Sequence, residues 1–269
     1  MRVRVGTAGL PHAAKNKGYL RGLKLLKCLG LDALEIEFVY GIDMSEGEAR
    51  EVRELARRLD ILLSVHAPYF INFCSEEIEK RERSVDRLVK TLEIADVLGA
   101  RYVVIHAAHY MSYGPTRCYE LVKYYIDKVL KLRDWKAKIA IETMAKDTQF
   151  GTLEEVVKIC REFGTERVVP CIDWAHLYIR YRGNIDFRKV LEILVTELEL
   201  RELHCHFTGI RDLEDEHEPV DTGKPSLEAL ADALVAYRDV LSEVSIICES
   251  PLLEKDALKI KRIINDKLR

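Results

Sequence analysis

Residues that can bind metal ions recur where apolar segments of this 269-residue chain end. The clearest case is Val168–Asp173, an apolar run that ends in an aspartate and is followed three residues later by His176. An Asp-x-x-His pattern on its own is equally compatible with a helix N-cap next to an ordinary histidine. The pattern recurs, because several other apolar segments also end in histidine, aspartate or glutamate, and this recurrence favours a functional site over a helix cap.

Seven consecutive strand-like segments carry a carboxylate or an imidazole at their carboxyl ends. These residues are Glu37, His66, His106, Glu142, Asp173, His206 and Glu249. A single buried histidine or glutamate is usually satisfied by hydrogen bonds. Several carboxylates that converge without positive charge are costly, so bound cations are the most economical explanation of the whole set.

Three further residues, His176, Asp215 and His217, lie just beyond strand ends. The last two belong to the long acidic segment 209–224, which by itself is also typical of a solvated loop. We therefore predict nine metal ligands, which are His66, His106, Glu142, Asp173, His176, His206, Asp215, His217 and Glu249.

The chemical nature of these ligands narrows the metal and the reaction. Imidazoles and carboxylates without thiolates suit zinc, manganese or iron, and we predict zinc, with manganese as an alternative. A catalytic zinc site typically uses three protein ligands, so this set fits two or three ions. Three divalent ions would outweigh the carboxylates among the ligands, and the residual positive charge would favour a phosphate group and hydroxide formation near neutral pH.

Eight alternations of an apolar strand-like segment with an amphipathic helix must position these residues. The predicted strands are 2–7, 33–38, 62–67, 101–107, 138–143, 167–173, 200–207 and 244–250, and the predicted helices are 19–29, 45–59, 76–98, 116–134, 152–163, 186–197, 226–237 and 254–268. This alternation predicts an α/β fold, a (β/α)8 TIM barrel that forms one domain over residues 1–269. An open doubly wound sheet is the alternative, but no Gly-x-Gly-x-x-Gly follows the first strand. In a (β/α)8 barrel the active site lies at the carboxyl ends of the strands.

Composition limits the remaining function classes. A net charge of −3 excludes a globally basic nucleic-acid binder, although a local basic face stays possible. No apolar run approaches the ~20 residues of a membrane helix, so we expect no membrane association and a cytoplasmic location. The seven cysteines are scattered and odd in number, and we expect them to be reduced and unpaired. No protein partner can be inferred.

The segment from Val65 to Phe73, Val-His-Ala-Pro-Tyr-Phe-Ile-Asn-Phe, resembles the His-Ala-Pro-Tyr-x-Ile-Asn signature of the endonuclease IV family of apurinic/apyrimidinic endonucleases. Later motifs follow in the order of that family, namely His106, Ile141-Glu142-Thr143, Cys171-Ile172-Asp173-x-x-His176, His206, Asp215-x-His217 and Glu249-Ser250-Pro251. The resemblance covers most of the chain. It implies a xylose isomerase-like TIM barrel with a trinuclear zinc centre that hydrolyses DNA on the 5′ side of abasic sites.

The resemblance also implies how the residues divide their roles. The first zinc would be held by His66, His106 and Glu142, the second by Glu142, Asp173, His206 and Glu249, and the third by His176, Asp215 and His217. Glu142 and Glu249 are the predicted catalytic residues. Tyr69 would lie beside the damaged nucleotide, Phe70 would press against the opened base stack, and Asn72 completes the substrate-binding part of the first motif.

A basic and aromatic segment, Arg180-Tyr181-Arg182-Gly183, could follow a DNA backbone, so Arg180 and Arg182 are further candidate substrate-binding residues. An ordinary surface loop is the alternative. The chain departs from the family at His106-Ala107-Ala108-His109, where His-Pro-Gly is usual, and in the loops after the first two strands. These departures concern DNA contacts more than metal ligands.

The alternative function is that of a sugar isomerase or epimerase with the same barrel and one or two metals. Glu142 and Glu249 would then move protons next to a carbonyl group. The third ligand set discriminates between the two functions, because an isomerase has no evident need for His176, Asp215 and His217. A non-enzymatic metal-binding barrel would require a site that is closed to water.

Overall fold

The computed structural model describes residues 1–221 and 224–269, and its centre is a closed barrel of eight parallel strands. They are β1 (Arg2–Ala8), β2 (Ala33–Glu37), β3 (Leu62–His66), β4 (Tyr102–Ile105), β5 (Lys138–Glu142), β6 (Val168–Asp173), β7 (Glu202–Phe207) and β8 (Glu243–Cys248). Each strand pairs with the next one in sequence, and β1 pairs with β8, which closes the sheet. The predicted α/β class and the (β/α)8 TIM barrel are confirmed.

The strands read as nearly continuous apolar runs because both of their faces are covered. Both β3 and β6 are buried along their entire lengths. Outward-facing side chains such as Val65 and Ile172 join the main hydrophobic core beneath the helices. At β1, a close backbone approach requires Gly6, since an added Cβ would lie 1.9 Å from the carbonyl oxygen of Ala33 in β2.

Amphipathic helices surround the barrel. They are α1 (Tyr19–Leu29), α2 (Glu46–Leu59), α3 (Ile78–Leu98), α4 (Gly114–Leu130), α5 (Leu153–Phe163), α6 (Trp174–Arg180), α7 (Phe187–Leu198), α8 (Leu227–Ala236) and α9 (Glu254–Leu268). Their boundaries follow local signals. Thr152 and Glu155 form a complete capping box at the start of α5, and Gly99 ends α3 in the left-handed conformation that glycine tolerates.

The short helix α6 was not predicted from the sequence. Its seven residues are mostly buried, so the polar and apolar sides that reveal an amphipathic helix are missing. The carboxylate of Asp173 caps this helix and accepts a hydrogen bond from the backbone N–H of His176 at 2.7 Å. The helix matters for the site because it begins immediately after β6 and carries His176.

Part of the acidic segment after β7 is paired in a short two-stranded sheet. Gly209–Ile210 and His217–Glu218 form a short antiparallel pair, in which Ile210 lies opposite His217. This pairing brings His217 back towards the mouth of the barrel. A second short pair joins Ala108–His109 after β4 to Gln149–Phe150 after β5.

The expectation that all cysteines are unpaired is wrong for two of them. Cys74 and Cys118 form a disulfide, with their Cα atoms 5.4 Å apart and a sequence separation of 44. It connects the loop after β3 to α4. Sequence spacing could not reveal this pair, because the contact arises only when the loop packs against the helix. Cys28, Cys160, Cys171, Cys205 and Cys248 are free.

The interior of the barrel is divided between apolar and polar side chains. Tyr102, Val104, Ala140, Val169 and Cys171 form a small apolar cluster on one side. Buried polar residues occupy the other side and lie below the strand ends; they are Glu35, Ser64, His204 and Ser245. None of the helices within residues 1–221 and 224–269 has the length and apolarity that a membrane crossing demands.

Candidate metal centre

The carboxylate of Glu142, at the end of β5, lies at the centre of the predicted ligand set. Its Oε2 atom is 2.9 Å from Nε2 of His106 and 3.3 Å from Nε2 of His66. Its Oε1 atom is 3.1 Å from Nδ1 of His176 and 3.7 Å from Nδ1 of His206. Burial by itself would raise the pKa of Glu142, but the surrounding imidazoles, His106 foremost, hold that pKa well below its usual range.

A second set of ligands comes from the next three strand ends. Nδ1 of His206 is 3.2 Å from Oε1 of Glu249 and 4.0 Å from Oδ2 of Asp173. Asp173 and His206 are fully buried, whereas the side chain of Glu249 is partly exposed at the mouth. Burial raises the pKa of Glu249, although His206 opposes the shift.

The third set lies on α6 and on the short antiparallel pair after β7. Nε2 of His176 is 3.3 Å from Oδ1 of Asp215, and this hydrogen-bonding contact lowers the pKa of Asp215 to about 2. Nε2 of His217 is 3.9 Å from Oε2 of Glu249, which links this set to the second one. Asp215 and His217 were the candidates with an alternative assignment as solvated loop residues, and the structure brings both to the mouth.

All nine predicted ligands therefore meet at the carboxyl ends of the strands. Among the described residues, five groups have potential ligand atoms within 4.8 Å of one another. Three contain predicted ligands alone, namely His66 with His106 and Glu142, Glu142 with Asp173 and His176, and His176 with Asp215 and His217; the other two are Glu35 with His206 and Glu249, and Cys171 with His204 and His206. The first three groups overlap at Glu142 and His176, so a single continuous cluster connects them.

The histidine rings are oriented by partners on their far sides. Nδ1 of His66 is 2.8 Å from the carbonyl oxygen of Ala67, and Nδ1 of His176 is 2.9 Å from that of Thr143. Nδ1 of His217 is likewise 3.0 Å from the carbonyl oxygen of Glu249. A carbonyl can only accept, so each Nδ1 carries a hydrogen. Nε2 of His66 and Nε2 of His217 then present lone pairs to the cluster, as metal-binding histidines usually do. Both nitrogens of His176 face the cluster, Nδ1 towards Glu142 at 3.1 Å and Nε2 towards Asp215 at 3.3 Å.

Two buried atoms show that the set fits a cation. Oδ2 of Asp173 and Nδ1 of His206 have no hydrogen-bond partner among the described residues, although both are shielded from solvent. A buried polar atom without a partner costs about 1–3 kcal/mol. A divalent cation bound between these two atoms would remove that cost, and the donor set of imidazoles and carboxylates is the one that zinc and manganese accept.

Sequence reasoning missed the residues directly beneath this cluster. Glu35 and His204 are fully buried inside the barrel, and Oε1 of Glu35 lies 2.8 Å from Nε2 of His206. The strand pattern could have identified Glu35, because every second residue of a strand faces the same side and Glu35 precedes Glu37 by two positions. Glu37 lies near the cluster, and burial raises its pKa to about 8.

The candidate substrate-binding residues of the first motif are placed at the rim. Tyr69 is half-exposed, and its ring stacks on that of His106 with centroids 5.1 Å apart. The exposed ring of Phe70 is covered on one side by the guanidinium of Arg87 at 5.6 Å. The side chain of Asn72 hydrogen-bonds within the protein, because its Oδ1 accepts hydrogen bonds from the backbone N–H groups of Cys74 and His109.

The two candidate arginines after α6 differ in their surroundings. The guanidinium of Arg180 donates hydrogen bonds to the carbonyl oxygens of Met144, Lys146 and Gln149 at 2.8–3.2 Å, so it anchors the loop after β5. Arg182 is exposed and pairs with Asp147 at 2.5 Å. Only Arg182 keeps its side chain on the surface.

Comparison with known proteins supports the resemblance that the motifs suggest. The profile of the xylose isomerase-like TIM barrel family matches residues 23–264. An uncharacterized protein of Methanocaldococcus jannaschii is 34% identical over 97% of this chain and 96% of its own. A probable endonuclease 4 of Mycoplasma mobile is 25% identical over 74% of this chain and 72% of its own. The predicted resemblance to the endonuclease IV family is confirmed.

Solved structures show the same barrel in proteins of two kinds. Endonuclease IV from Thermus thermophilus covers 100% of this chain and 99% of its own, with a TM-score of 0.70 and 23% identity. A D-tagatose 3-epimerase-like protein covers 100% of this chain and 97% of its own, with a TM-score of 0.75 and 20% identity. At such identities the likeness concerns the fold alone, so the reaction has to be argued from the site.

Proposed function

The chain belongs to the xylose isomerase-like TIM barrel family, and from that starting point we propose that it is a metal-dependent phosphodiesterase of the endonuclease IV type. Its proposed substrate is DNA, which it cuts on the 5′ side of abasic sites. The observation that carries the proposal is the third ligand group, in which His176, Asp215 and His217 lie within reach of one cation. A barrel that works with one or two metals would not require this group.

The proposed centre holds two or three zinc ions, with manganese as the alternative. The first ion would be held by His66, His106 and Glu142, the second by Glu142, Asp173, His206 and Glu249, and the third by His176, Asp215 and His217. Bound divalent cations supply two effects, neutralisation of the phosphodiester charge and a lower pKa for water, so that hydroxide is available near pH 7.

The protein side chains provide position and orientation. Glu142 fixes the spacing between two ligand groups, since its two carboxylate oxygens face different pairs of imidazoles. Glu249 presents a carboxyl group to the open mouth, where a phosphate would enter. The carbonyls of Ala67 and Thr143 hold the rings of His66 and His176 with Nε2 towards the cluster.

The rim supplies features that suit a nucleic-acid strand. Tyr69 and Phe70 are consecutive, both rings are at least half-exposed, and such rings provide stacking surfaces for sugars and bases. Arg87 lies against Phe70, and Lys146 lies 3.6 Å from Asp215 at the opposite side of the mouth. These cations provide local positive charge on a chain whose net charge is −3.

A sugar epimerase is the second candidate function, and one observation favours it. Glu142 and Glu249 approach the same nitrogen, Nδ1 of His206, at 3.7 and 3.2 Å. Two carboxylates that flank one metal-binding position could remove and return a proton on a sugar carbon next to a carbonyl group. This reaction needs neither Asp215 nor His217.

Incubation of the metal-loaded protein with duplex DNA that holds one abasic site tests the proposal, alongside a panel of ketoses. We expect a single nick on the 5′ side of the lesion and no interconversion of sugars. The variant Asp215→Asn separates the two functions, because the nuclease should lose activity while an epimerase should keep it. Epimerised sugar without nicking would overturn the proposal in favour of the second candidate.

A further inference from the structure

Two candidate metal ligands lie in neighbouring loops at the mouth of the barrel. His217 belongs to the segment after β7, and Glu249 directly follows the last residue of β8. The loops touch, since Nδ1 of His217 is 3.0 Å from the carbonyl oxygen of Glu249. Neither residue lies in a strand of the barrel, so their relative position depends on what holds the two loops.

A single buried carboxylate connects both loops to α9. Oδ2 of Asp256, in the first turn of that helix, accepts a hydrogen bond from the backbone N–H of Val220 at 2.9 Å. The same oxygen accepts a hydrogen bond from the hydroxyl of Ser250. Val220 lies three residues beyond His217, and Ser250 is the residue after Glu249. Each ligand-bearing loop therefore has one attachment to Asp256.

The surroundings of Asp256 indicate that it serves the loops more than its own helix. The side chain is fully buried, and a carboxylate is costly to remove from water. Acidic residues in a first turn often accept a hydrogen bond from the N-terminal backbone of their own helix. Within residues 1–221 and 224–269, the hydrogen bonds to Oδ2 come from the two loops. Nζ of Lys259 lies 3.0 Å from Oδ1, and this ion pair offsets the charge.

The attachment of Val220 lies just beyond a paired part of its segment. The short antiparallel pair after β7 includes His217 and Glu218 and fixes these two residues. Val220 follows two residues after Glu218, and its N–H is held by Asp256. The pairing and the attachment to α9 together fix the segment that begins at His217.

We propose that Asp256 is a positioning residue of the metal centre, which fixes His217 and Glu249 relative to each other through Val220 and Ser250. Residues that support metal ligands change metal affinity when they are lost, although they do not touch the metal. His217 belongs to the third proposed ligand group and Glu249 to the second, so Asp256 acts on these two ions. The first group has no ligand in either loop. The inference rests on the proposed metal centre but not on its substrate.

The variant Asp256→Ala removes both attachments, and metal binding tests the consequence. Competition with graded concentrations of chelator, followed by elemental analysis, should show two ions bound about tenfold more weakly. This is the lower end of the 10–100-fold loss expected when a residue behind a ligand is removed. The remaining ion should be bound as tightly as in the native protein. A general loss of stability would instead weaken all ions alike.

Glu254→Ala is the matched control in the same turn of α9. Oε2 of Glu254 accepts a hydrogen bond from the backbone N–H of His12 at 3.0 Å and so attaches the loop after β1, which holds no candidate ligand. The metal affinities of this variant should equal the native ones. Asp256→Asn keeps an oxygen that can accept from Val220 and Ser250, so it should bind the two affected ions more tightly than Asp256→Ala.

Hydrogen exchange of the metal-free protein reports the attachment independently. The amide of Val220 should exchange more than about tenfold faster in Asp256→Ala than in the native chain, because a hydrogen bond to a charged acceptor is stronger than a neutral one. In Asp256→Asn the exchange should slow again towards the native rate. This measurement requires neither metal nor DNA.

Two results in a folded Asp256→Ala variant would overturn the inference, namely native affinity for every ion or an equal loss for all ions. If this variant does not fold, Ser250→Ala decides, because it removes one attachment and leaves Asp256 in place. It should weaken the ion that uses Glu249 and spare the ion that uses His66, and unchanged affinities would overturn the inference. Failure of the native protein to cut abasic DNA would refute the proposed function and leave the metal and exchange results valid, so the two proposals are tested separately.

Discussion

Nε2 of His176 lies 3.3 Å from Oδ1 of Asp215. This contact connects α6, which follows the sixth strand, to the segment that follows the seventh. The carbonyl of Thr143 holds Nδ1 of His176 on the far side of the ring, so Nε2 is free to face Asp215. Together with His217, the two residues form a group whose potential ligand atoms lie within 4.8 Å of one another.

The variant Asp215→Asn should therefore lose one equivalent of bound metal and keep the others. The substitution removes a charge while it preserves shape. Mutation of a residue that hydrogen-bonds a metal ligand typically lowers metal affinity or activity by about 10–100-fold. Loss of the ligand itself should therefore lower the rate of abasic-DNA cleavage by more than about 100-fold. Elemental analysis and a nicking assay check both effects. The control Glu216→Gln alters an exposed neighbour in the same loop and should behave like the native protein. Full metal content in Asp215→Asn would contradict the assignment.

The variant Glu142→Gln should abolish cleavage and weaken at least two metals. Glu142 is the only side chain that contacts His66, His106, His176 and His206 among the described ion pairs, so its charge serves two ligand groups at once. We expect activity below about one thousandth of the native rate, since bound cations and the residues that hold them supply most of the rate enhancement in such sites. Circular dichroism should show a retained barrel. Substantial turnover in a folded Glu142→Gln variant would refute the role of Glu142. The control is Glu154→Gln, on the exposed face of α5, which should cleave DNA at the native rate.

Acidification should weaken metal binding. Burial disfavours a charged His66, yet Glu142 and Glu37 outweigh it and raise the pKa of His66 to about 9 in the metal-free protein. A metal requires the neutral ring, so below about pH 9 the ion that binds His66 must displace that proton, and its apparent affinity falls tenfold per pH unit for each proton displaced. Calorimetry of zinc binding in buffers with different ionisation enthalpies measures the number of protons released. Affinity that is constant between pH 6 and 8 would contradict this expectation.

Removal of the disulfide should destabilise the protein without loss of the metal centre. Cys74 and Cys118 close a loop of 44 residues, for which a cross-link contributes about 2–4 kcal/mol to the free energy of unfolding. The double variant Cys74→Ala and Cys118→Ala should lose stability in this range in urea. Cys28→Ser, which removes an exposed free thiol, is the control and should unfold at the native midpoint. Two freely alkylated thiols in native, oxidised protein would show that the bond is absent.

The two interpretations of the Asp173 and His176 pattern are compatible in one structure: the helix cap is confirmed, and the metal-ligand interpretation stays a prediction. Oδ1 of Asp173 caps α6 through the N–H of His176, and Oδ2 is left buried without a hydrogen-bond partner among the described residues. A carboxylate has two oxygens, so a helix cap and a metal ligand are compatible in one residue. Sequence patterns assign a residue to one role, whereas geometry assigns each atom separately.

The sequence by itself determined the barrel and the position of the candidate metal ligands at its mouth. Strand and helix periodicities are local, and eight parallel strands of a closed sheet all end at the same mouth, so a residue such as Glu142 or His206 could be placed there from its position in a strand. Only the tertiary structure decided what lies behind these ligands. The contact between Glu35 and His206 joins residues of the second and seventh strands across the barrel interior, and the bond between Cys74 and Cys118 joins a loop to a helix. Such pairs have no local signature, because they depend on how distant segments pack and on which atom of each side chain faces the other.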